Sequence, residues 1–232
     1  MFKWARGFIK SPFMLLKAVF LLFLTHLPGQ IGYWLRYQFY KKRFKSCGKN
    51  VTICVGVLIE GAKYISIGDN VWIDKYCIIL TGPVNLENSV VKKRENRKYS
   101  QLSGELVIGS GVHIGAFSII QAHGGVEIGN NVTTSAGVKI YSLSNYPHDE
   151  ANPAKITYAN CMVMKSDKVS YIVSPIVIED GVWIALDSLV LGGTIGKNSF
   201  IASQSLVLHD IPENSYAAGS PAKKIRNRFE LE

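Results

Sequence analysis

Residues 106–119 read LVIGSGVHIGAFSI, and isoleucines recur there at intervals of six residues. Ile108 and Ile114 are each followed by glycine, and Ile120 continues the same register. A period of six matches neither an α-helix, which repeats every 3.6 residues, nor a half-buried strand, which alternates every two. It is typical of a parallel β-helix, in which each flat side of a prism takes one hexad and three hexads close one coil.

The repeat continues on both sides of this stretch. Further hexads in the same style occupy residues 65–78, 126–140 and 176–207. The aliphatic residue of each hexad is expected to point into the prism, and small residues are expected where the chain bends at a corner. The sequence therefore predicts an all-β fold, with a parallel β-helix over residues 47–210.

The repeat is irregular at two steps and is interrupted twice. Ile120 and Ile128 are eight residues apart, and Val190 and Ile195 are five apart. Two longer segments, 86–105 and 142–174, lose the period altogether. Long loops without regular structure are usually functional or disordered, so we expect these two to leave the prism as loops of one of those kinds.

The charge of the chain is concentrated in its first part. The net charge is +9, and residues 1–59 hold ten Lys or Arg and no acidic residue. From Glu60 onward, 16 basic residues face 17 acidic ones. We therefore treat residues 1–46 as a separate basic arm.

The arm combines apolar, aromatic and basic residues. Its apolar segment 13–27 is interrupted by Lys17, and its unbroken apolar run 18–24 is too short to span a bilayer, which takes about 20 residues. A signal peptide also fits poorly, because no small-residue cleavage site follows. Two interpretations remain: an amphipathic arm lying on an anionic membrane, or helices packing on their own domain or on a neighbouring subunit.

The four cysteines favour neither a metal site nor a disulfide framework. Cys47, Cys54, Cys77 and Cys161 form no CxxC pair and have no histidine at zinc spacing. We expect no metal, and a reducing, cytoplasmic location.

With its hexads, the segment 182–225, which ends in DIPENSYAAGSPAKKI, resembles the hexapeptide-repeat acyltransferases, particularly bacterial sugar and polysaccharide O-acetyltransferases. The resemblance implies a left-handed β-helix with a short C-terminal helix, a homotrimer, and active sites in clefts between adjacent prisms. It also implies that acetyl-CoA is the co-substrate and that a C-terminal tail, residues 211–232, contacts coenzyme A. The residues it predicts at coenzyme A are Trp183, Ala185, Ser203, His209, Lys223, Lys224 and Arg226.

The reaction requires a general base, because a sugar hydroxyl has a pKa far above 7. Histidine titrates near neutrality and suits this role. The resemblance implies a His-Pro pair in the loop after Ile140, but the chain reads Tyr146-Pro147 and places His148 next. His123, in QAHGG, is the other candidate. Asn145, Tyr146 and Asp149 of the same loop are predicted to bind the acceptor.

Three functions compete at this point. The first is O-acetylation of a sugar hydroxyl in a bacterial surface polysaccharide, such as lipopolysaccharide or capsule, or in its lipid-linked precursor. The second is N-acetylation of an amino-sugar nucleotide, and the third is a β-helix scaffold without catalysis. Nucleic acid is not an expected partner.

Overall fold

Short parallel strands dominate the computed structural model, which describes residues 12–86, 90–96, 98–146 and 170–230. Helices α1 (Pro12–His26) and α2 (Gly29–Lys41) precede the strands, and a short 3₁₀ helix spans Ala62–Tyr64. Three sheets form the faces of a prism, so the predicted parallel β-helix is confirmed. None of the helices in these residues is long and apolar enough to cross a membrane.

Each coil contributes one strand to each face. Face 1 holds β1 (Ser46–Cys47), β4 (Ile65–Ile67), β8 (Leu106–Ile108), β11 (Val126–Ile128), β16 (Ile176–Ile178) and β19 (Gly193–Ile195). Face 2 holds β2 (Thr52–Ile53), β5 (Trp72–Ile73), β9 (His113–Ile114), β12 (Thr133–Thr134), β17 (Trp183–Ile184), β20 (Phe200–Ile201), β22 (Ser215–Gly219) and β23 (Ala222–Asn227). Face 3 holds β3 (Leu58–Glu60), β6 (Ile78–Leu80), β10 (Ile119–Gln121), β13 (Lys139–Tyr141), β18 (Leu189–Val190) and β21 (Leu206–Val207).

The inside of the prism is a column of aliphatic side chains. Ile108, Ile114 and Ile120, one from each face of a single coil, are at most 2% exposed. Val112 and Ser118, four residues after the first two, are also buried. Burying an isoleucine contributes about 1.5–3 kcal/mol, so the repeated positions supply most of the driving force for folding. The hexad interpretation is confirmed in these positions.

The corner between faces 1 and 2 is built by residues in the left-handed backbone conformation. Asn50, Asn70 and Asn131 have φ of 56°, 56° and 55°. Asparagine adopts this region more readily than most residues, because its short polar side chain can bond locally. The side-chain amide of Asn50 donates to Oδ1 of Asn70 at 3.1 Å, which links the corner from coil to coil.

Variation in coil length is confined to the corner between faces 3 and 1, which we call the third corner. The ladder pairs Ile53 with Ile73, 20 residues apart, and Ile184 with Ile201, 17 apart. The steps of eight and five residues noted above, 120–128 and 190–195, both cross this corner. The regular steps lie on the other two corners, where the left-handed residues recur.

Both long insertions also leave from the third corner, after β6 and after β13. They were expected as loops, yet parts of them form a further sheet beside the prism. Its strands are β14 (Leu143–Tyr146), which pairs antiparallel with β15 (Ser170–Val173), and β7 (Val90–Lys93), which pairs parallel with β15. The insertions therefore build one structured layer together.

The end of the chain differs from expectation. The predicted short C-terminal helix is wrong, because Ala222–Asn227 form strand β23, antiparallel to β22. Strand β22 pairs with β20 on its other side, and without β23 its outer backbone groups would form an open edge. Completing that edge outweighs the helix propensity of the short basic segment.

The cysteines in the described residues are free. Burial raises the pKa of the Cys77 thiol to about 12 and also raises the pKa of Cys54. These two thiols occupy core positions, where they behave as small apolar groups. Cys161 lies outside the described residues.

A buried arginine fastens the arm to the first coil. Arg36 of α2 is fully buried, and its Nε donates to the carbonyl of Ile53 at 2.7 Å. Its Nη1 donates to the carbonyls of Leu24 and Leu27 at 2.9 and 2.8 Å. Burial lowers the pKa of the guanidinium, but arginine starts so far above neutrality that it stays charged. One side chain thus joins α1, α2 and β2.

Replacing this residue should loosen the arm. In Arg36→Ala, three carbonyls, two of them in buried hydrogen bonds, lose their donor, and we expect a loss of about 2–4 kcal/mol in the free energy of unfolding. Urea denaturation followed by circular dichroism measures it. Arg43→Ala, which removes an exposed arginine two residues after the end of α2, is the control and should change stability by less than about 1 kcal/mol. Equal effects of the two substitutions would contradict the assignment.

Candidate functional site

His123 lies at the third corner, two residues after β10. Its Nδ1 is 2.8 Å from the carbonyl oxygen of Gly82, which belongs to the preceding coil. A carbonyl oxygen only accepts hydrogen bonds, so Nδ1 must carry the proton. In the neutral ring, Nε2 then holds a lone pair, which is the state a general base requires.

The two glycines after His123 have separate structural reasons. A side chain at Gly124 would collide with the carbonyl oxygen of Ser142 in the next coil. Gly125 has φ of 102°, and a side chain there would meet the hydroxyl of Tyr99. The two glycines are therefore required by the close approach of the Tyr99 and Ser142 segments to the corner that carries His123.

The predicted acceptor loop begins one coil beyond His123. Gln121 pairs with Tyr141 in the ladder, and its side-chain oxygen accepts the backbone N–H of Leu143 at 3.0 Å. Strand β14 therefore starts beside the His123 corner, and Asn145 is exposed on it. Tyr146 ends the strand. His148 and Asp149 lie outside the described residues, so their predicted roles stay predictions.

A cavity of about 530 Å³ opens between this corner and the first insertion. Its wall includes Gly124, and Ser103 joins it to the histidine by donating to the carbonyl of His123 at 3.0 Å. Two cations, Lys93 and Arg94, and one carboxylate, Glu95, also line it. The space is large enough for a sugar. The charged side chains that line it sum to a positive charge, which favours an anionic group.

Four of the residues predicted at coenzyme A lie on the last coils of face 2. The indole Nε1 of Trp183 donates to Ser135 Oγ at 3.2 Å, and the guanidinium of Arg226 lies 4.9 Å from the ring centre of Tyr216. Lys223 and Lys224 are exposed on β23. The structure therefore brings an aromatic surface and three cations to one end of the prism.

Sequence reasoning missed two members of this surface. Phe200 lies between Trp183 and Tyr216, with ring centres 6.0 and 5.3 Å away. Trp183 and Phe200 each precede a buried isoleucine and pair directly in the ladder. The sequence did contain a signal, because large aromatic residues occupy equivalent positions of successive hexads. Their side chains point outward, since the next residue of each strand points inward.

The remaining predicted residues divide between two corners. Ala185 is nearly buried and Ser203 is exposed, and both lie at the corner between faces 2 and 3. The backbone N–H of Ala185 is already bonded to the carbonyl of Ile201 at 2.9 Å, so it has none left for a ligand. His209 follows β21 and lies at the third corner, across face 3 from Ser203.

The other described histidines occupy different surroundings. His113 Nε2 is 3.9 Å from Asp74 Oδ2 on the exposed side of face 2, and His26 Nδ1 is 3.0 Å from the carbonyl of Leu22. Within the part of the chain that the structure describes, no three His, Cys, Asp or Glu side chains are grouped to hold a metal ion.

Comparison with known proteins gives relatives but no matching family profile. An inferred acetyltransferase of Saccharomyces cerevisiae is 34% identical over 129 residues, which are 55% of this chain and 59% of that protein. The chain thus spans a little over half the length of this relative. The dTDP-4-amino-4,6-dideoxy-D-glucose acyltransferase of Escherichia coli is 28% identical over 186 residues, 80% of this chain and 83% of that protein.

Solved structures share the fold. A crystal structure of a mutant of AntD, an N-acyltransferase from Bacillus cereus, holds dTDP-4-amino-4,6-dideoxyglucose and coenzyme A; it superposes with a TM-score of 0.63 at 21% identity, covering 84% of this chain and 89% of AntD. A hexapeptide-repeat acetyltransferase from Vibrio cholerae with acetyl-CoA gives 0.51 at 21% identity, covering 94% and 90%. The chain is thus similar in sequence to acyltransferases, and it shares its fold, the left-handed β-helix that the resemblance implied, with hexapeptide-repeat acetyltransferases.

Proposed function

We propose that the protein is an acetyl-CoA-dependent O-acetyltransferase that modifies a sugar hydroxyl, with His123 as the general base. The observation that carries this proposal is the bond from His123 Nδ1 to the Gly82 carbonyl, which leaves Nε2 as the basic nitrogen. Gly82, in the preceding coil, holds the ring in that orientation. Ser142, in the next coil, fixes the corner from the other side, because its Oγ accepts the backbone N–H of Gly124 at 2.9 Å.

The chemistry is direct transfer between two bound substrates. Nε2 of His123 removes the hydroxyl proton as the sugar oxygen attacks the thioester carbon. The tetrahedral intermediate then expels the coenzyme A thiolate, which takes the proton back from the imidazolium. The products are the sugar ester and free coenzyme A, and the histidine ends neutral as it began.

Coenzyme A is proposed to bind along face 2 and the adjoining corner. Trp183, Phe200 and Tyr216 offer an apolar surface for the pantetheine or the adenine ring, and Lys223, Lys224 and Arg226 offer charge to the phosphates. Ser203 contributes an exposed hydroxyl, and Ala185 only its small size. His209 remains a prediction, because within one chain it belongs to another corner.

The geometry favours a site shared between copies of the chain. Within one protomer, Ser203 and His123 lie at opposite edges of face 3, so one prism does not bring the thioester to its own base. A cleft between neighbouring prisms would place the face 2 corner of one copy against the third corner of the next. We therefore propose a homotrimer, the closed arrangement natural to a three-faced prism.

The acceptor is proposed to enter the cavity beside His123. Lys93 and Arg94 suit a diphosphate, which both sugar nucleotides and lipid-linked sugars carry. The product would be an acetylated precursor of a surface polysaccharide such as lipopolysaccharide or capsule. Asn145 on β14 is exposed one coil away and is proposed to contact the sugar.

N-acylation of an amino-sugar nucleotide is the second candidate. Two of the similar proteins, from E. coli and B. cereus, are described as acting on or binding a dTDP-linked 4-amino sugar. The pKa of a protonated amine is lower than that of a hydroxyl, and the neutral amine is already a nucleophile. An amine acceptor therefore needs less help from His123.

His123→Asn tests the base. The asparagine amide can still donate to the Gly82 carbonyl, but it cannot accept a proton, so we expect kcat to fall about 10²–10⁴-fold. The KM for acetyl-CoA should stay within about twofold, because the substitution removes an interaction made in the transition state and leaves the binding of acetyl-CoA in the ground state unchanged. Steady-state thiol release measures both constants. His26→Gln is the control, and wild-type kcat in His123→Asn would refute the assignment.

Gly124→Ala tests the positioning of that base. The added methyl meets the Ser142 carbonyl, so the corner must shift and tilt the ring of His123. We expect kcat to fall about tenfold or more with little change in KM, since small misplacements weaken transition-state contacts most. Gly29→Ala is the control: the added methyl meets no atom within 4 Å, and the φ of 73° puts some backbone strain at the start of α2, far in the chain from the corner, so this variant should keep its kcat. An unchanged kcat in Gly124→Ala would show that the position of this corner does not matter for catalysis.

The choice between oxygen and nitrogen acceptors is open to direct comparison. We expect acetyl transfer to dTDP-glucose-type hydroxyl acceptors to depend on His123 and to disappear in His123→Asn. Transfer confined to 4-amino sugar nucleotides, measured by mass spectrometry of the products, would favour N-acylation instead. Activity on the amine that is insensitive to His123→Asn would fit the smaller need of an amine for a base.

A further inference from the structure

Helix α1 carries an apolar surface that the described part of the protein leaves exposed. Leu15, Leu16, Val19, Leu22 and Phe23 follow the i, i+1, i+4, i+7, i+8 pattern of a buried helix face, yet each is 54–68% exposed. Among the described side chains of α1, Leu24 is the one that is buried, at 3% exposed. A helix of a globular protein normally buries such a stripe, so this one lacks its partner.

Helix α2 also exposes large apolar side chains. Ile31 and Trp34 are 69% and 60% exposed, while Tyr33 and Arg36 turn toward the prism. Phe20 of α1 contacts Phe39 of α2, with ring centres 5.9 Å apart, so the two helices form one unit. Tryptophan at the border of an apolar surface suits a boundary between hydrocarbon and water.

The charges around this unit identify its partner. Residues 1–59 contain no acidic residue, and Lys17, Lys41, Lys42 and Arg43 are exposed on or just after the helices. An identical surface on a second copy would bring these cations against one another, which is unfavourable. An anionic lipid surface offers both hydrocarbon for the apolar stripe and negative headgroups for the cations.

We propose that α1 and α2 together dock the protein on an anionic membrane surface. Arg36 makes the docking rigid, because it bonds both α1 and the first coil. His123 follows the third coil, and coils are spaced by about 4.8 Å, so the proposed base lies about 10 Å along the prism from the docked end. For the acceptor, the inference rests on the proposed function and favours a lipid-linked sugar over a free nucleotide.

Vesicle sedimentation with the full-length protein tests the docking. We expect binding to phosphatidylcholine vesicles containing about 30% phosphatidylglycerol, weak binding to phosphatidylcholine alone, and weakening at high salt. The double substitution Leu15→Glu, Leu22→Glu should lower partitioning at least about tenfold. Leu102→Glu, at an equally exposed leucine away from the arm, is the matched control and should bind as the wild type does.

A second variant keeps the test decisive if the glutamates disturb folding. Lys41→Gln with Lys42→Gln should weaken binding to anionic vesicles about fivefold per charge and reduce its salt dependence. Equal binding to neutral and anionic vesicles, or none, would overturn the proposal. So would a Leu15→Glu, Leu22→Glu protein that still binds vesicles but dissociates in sedimentation velocity, because the stripe would then be a subunit interface.

Activity separates this inference from the proposed function. With a water-soluble sugar nucleotide, the Leu15→Glu, Leu22→Glu protein should keep wild-type turnover while losing vesicle binding. His123→Asn should show the reverse, with vesicle binding retained and turnover lost. Failure of one result leaves the other standing.

Discussion

Hydrogen bonding between equivalent residues of successive coils is the constraint on which this structure depends. On each face a strand pairs in register with the strands before and after it, so an inserted residue on a face would turn every following side chain to the wrong side. Changes in chain length are therefore tolerated only where the ladder is absent. The third corner takes all of them in the described residues, and the additional sheet, the cavity and His123 are there as well.

This constraint explains which features could be predicted from the sequence. The buried positions of Ile108, Ile114 and Ile120 follow directly from the period of six, because the ladder repeats it. The concentration of irregular steps at one corner did not follow, since the period alone does not say which corner a given step crosses. The C-terminal strand was missed for a related reason: the resemblance implied a helix, but pairing with the edge of β22 decided the outcome.

The candidate site could be predicted only in part. His123 was identifiable because its HGG motif resembles a corner of polysaccharide-modifying acyltransferases, whereas its tautomer depends on Gly82, 41 residues earlier in the chain. The aromatic surface on face 2 extends through Phe200 and Tyr216, which become neighbours only when coils of different length are stacked. Contacts across coils are invisible in the sequence until the number of residues in each coil is known.

The two ends of the prism are closed by different means, and this sets the length of the molecule. At the first coil, Arg36 supplies to Ile53 the donor that a preceding coil would otherwise provide. At the last coil, β23 runs antiparallel to β22 and ends the parallel ladder. A parallel β-helix with open ends could add further coils from other chains and grow into a fibre. Here both ends of face 2 are stopped, which opposes growth by stacking and leaves the flat sides as surfaces for association.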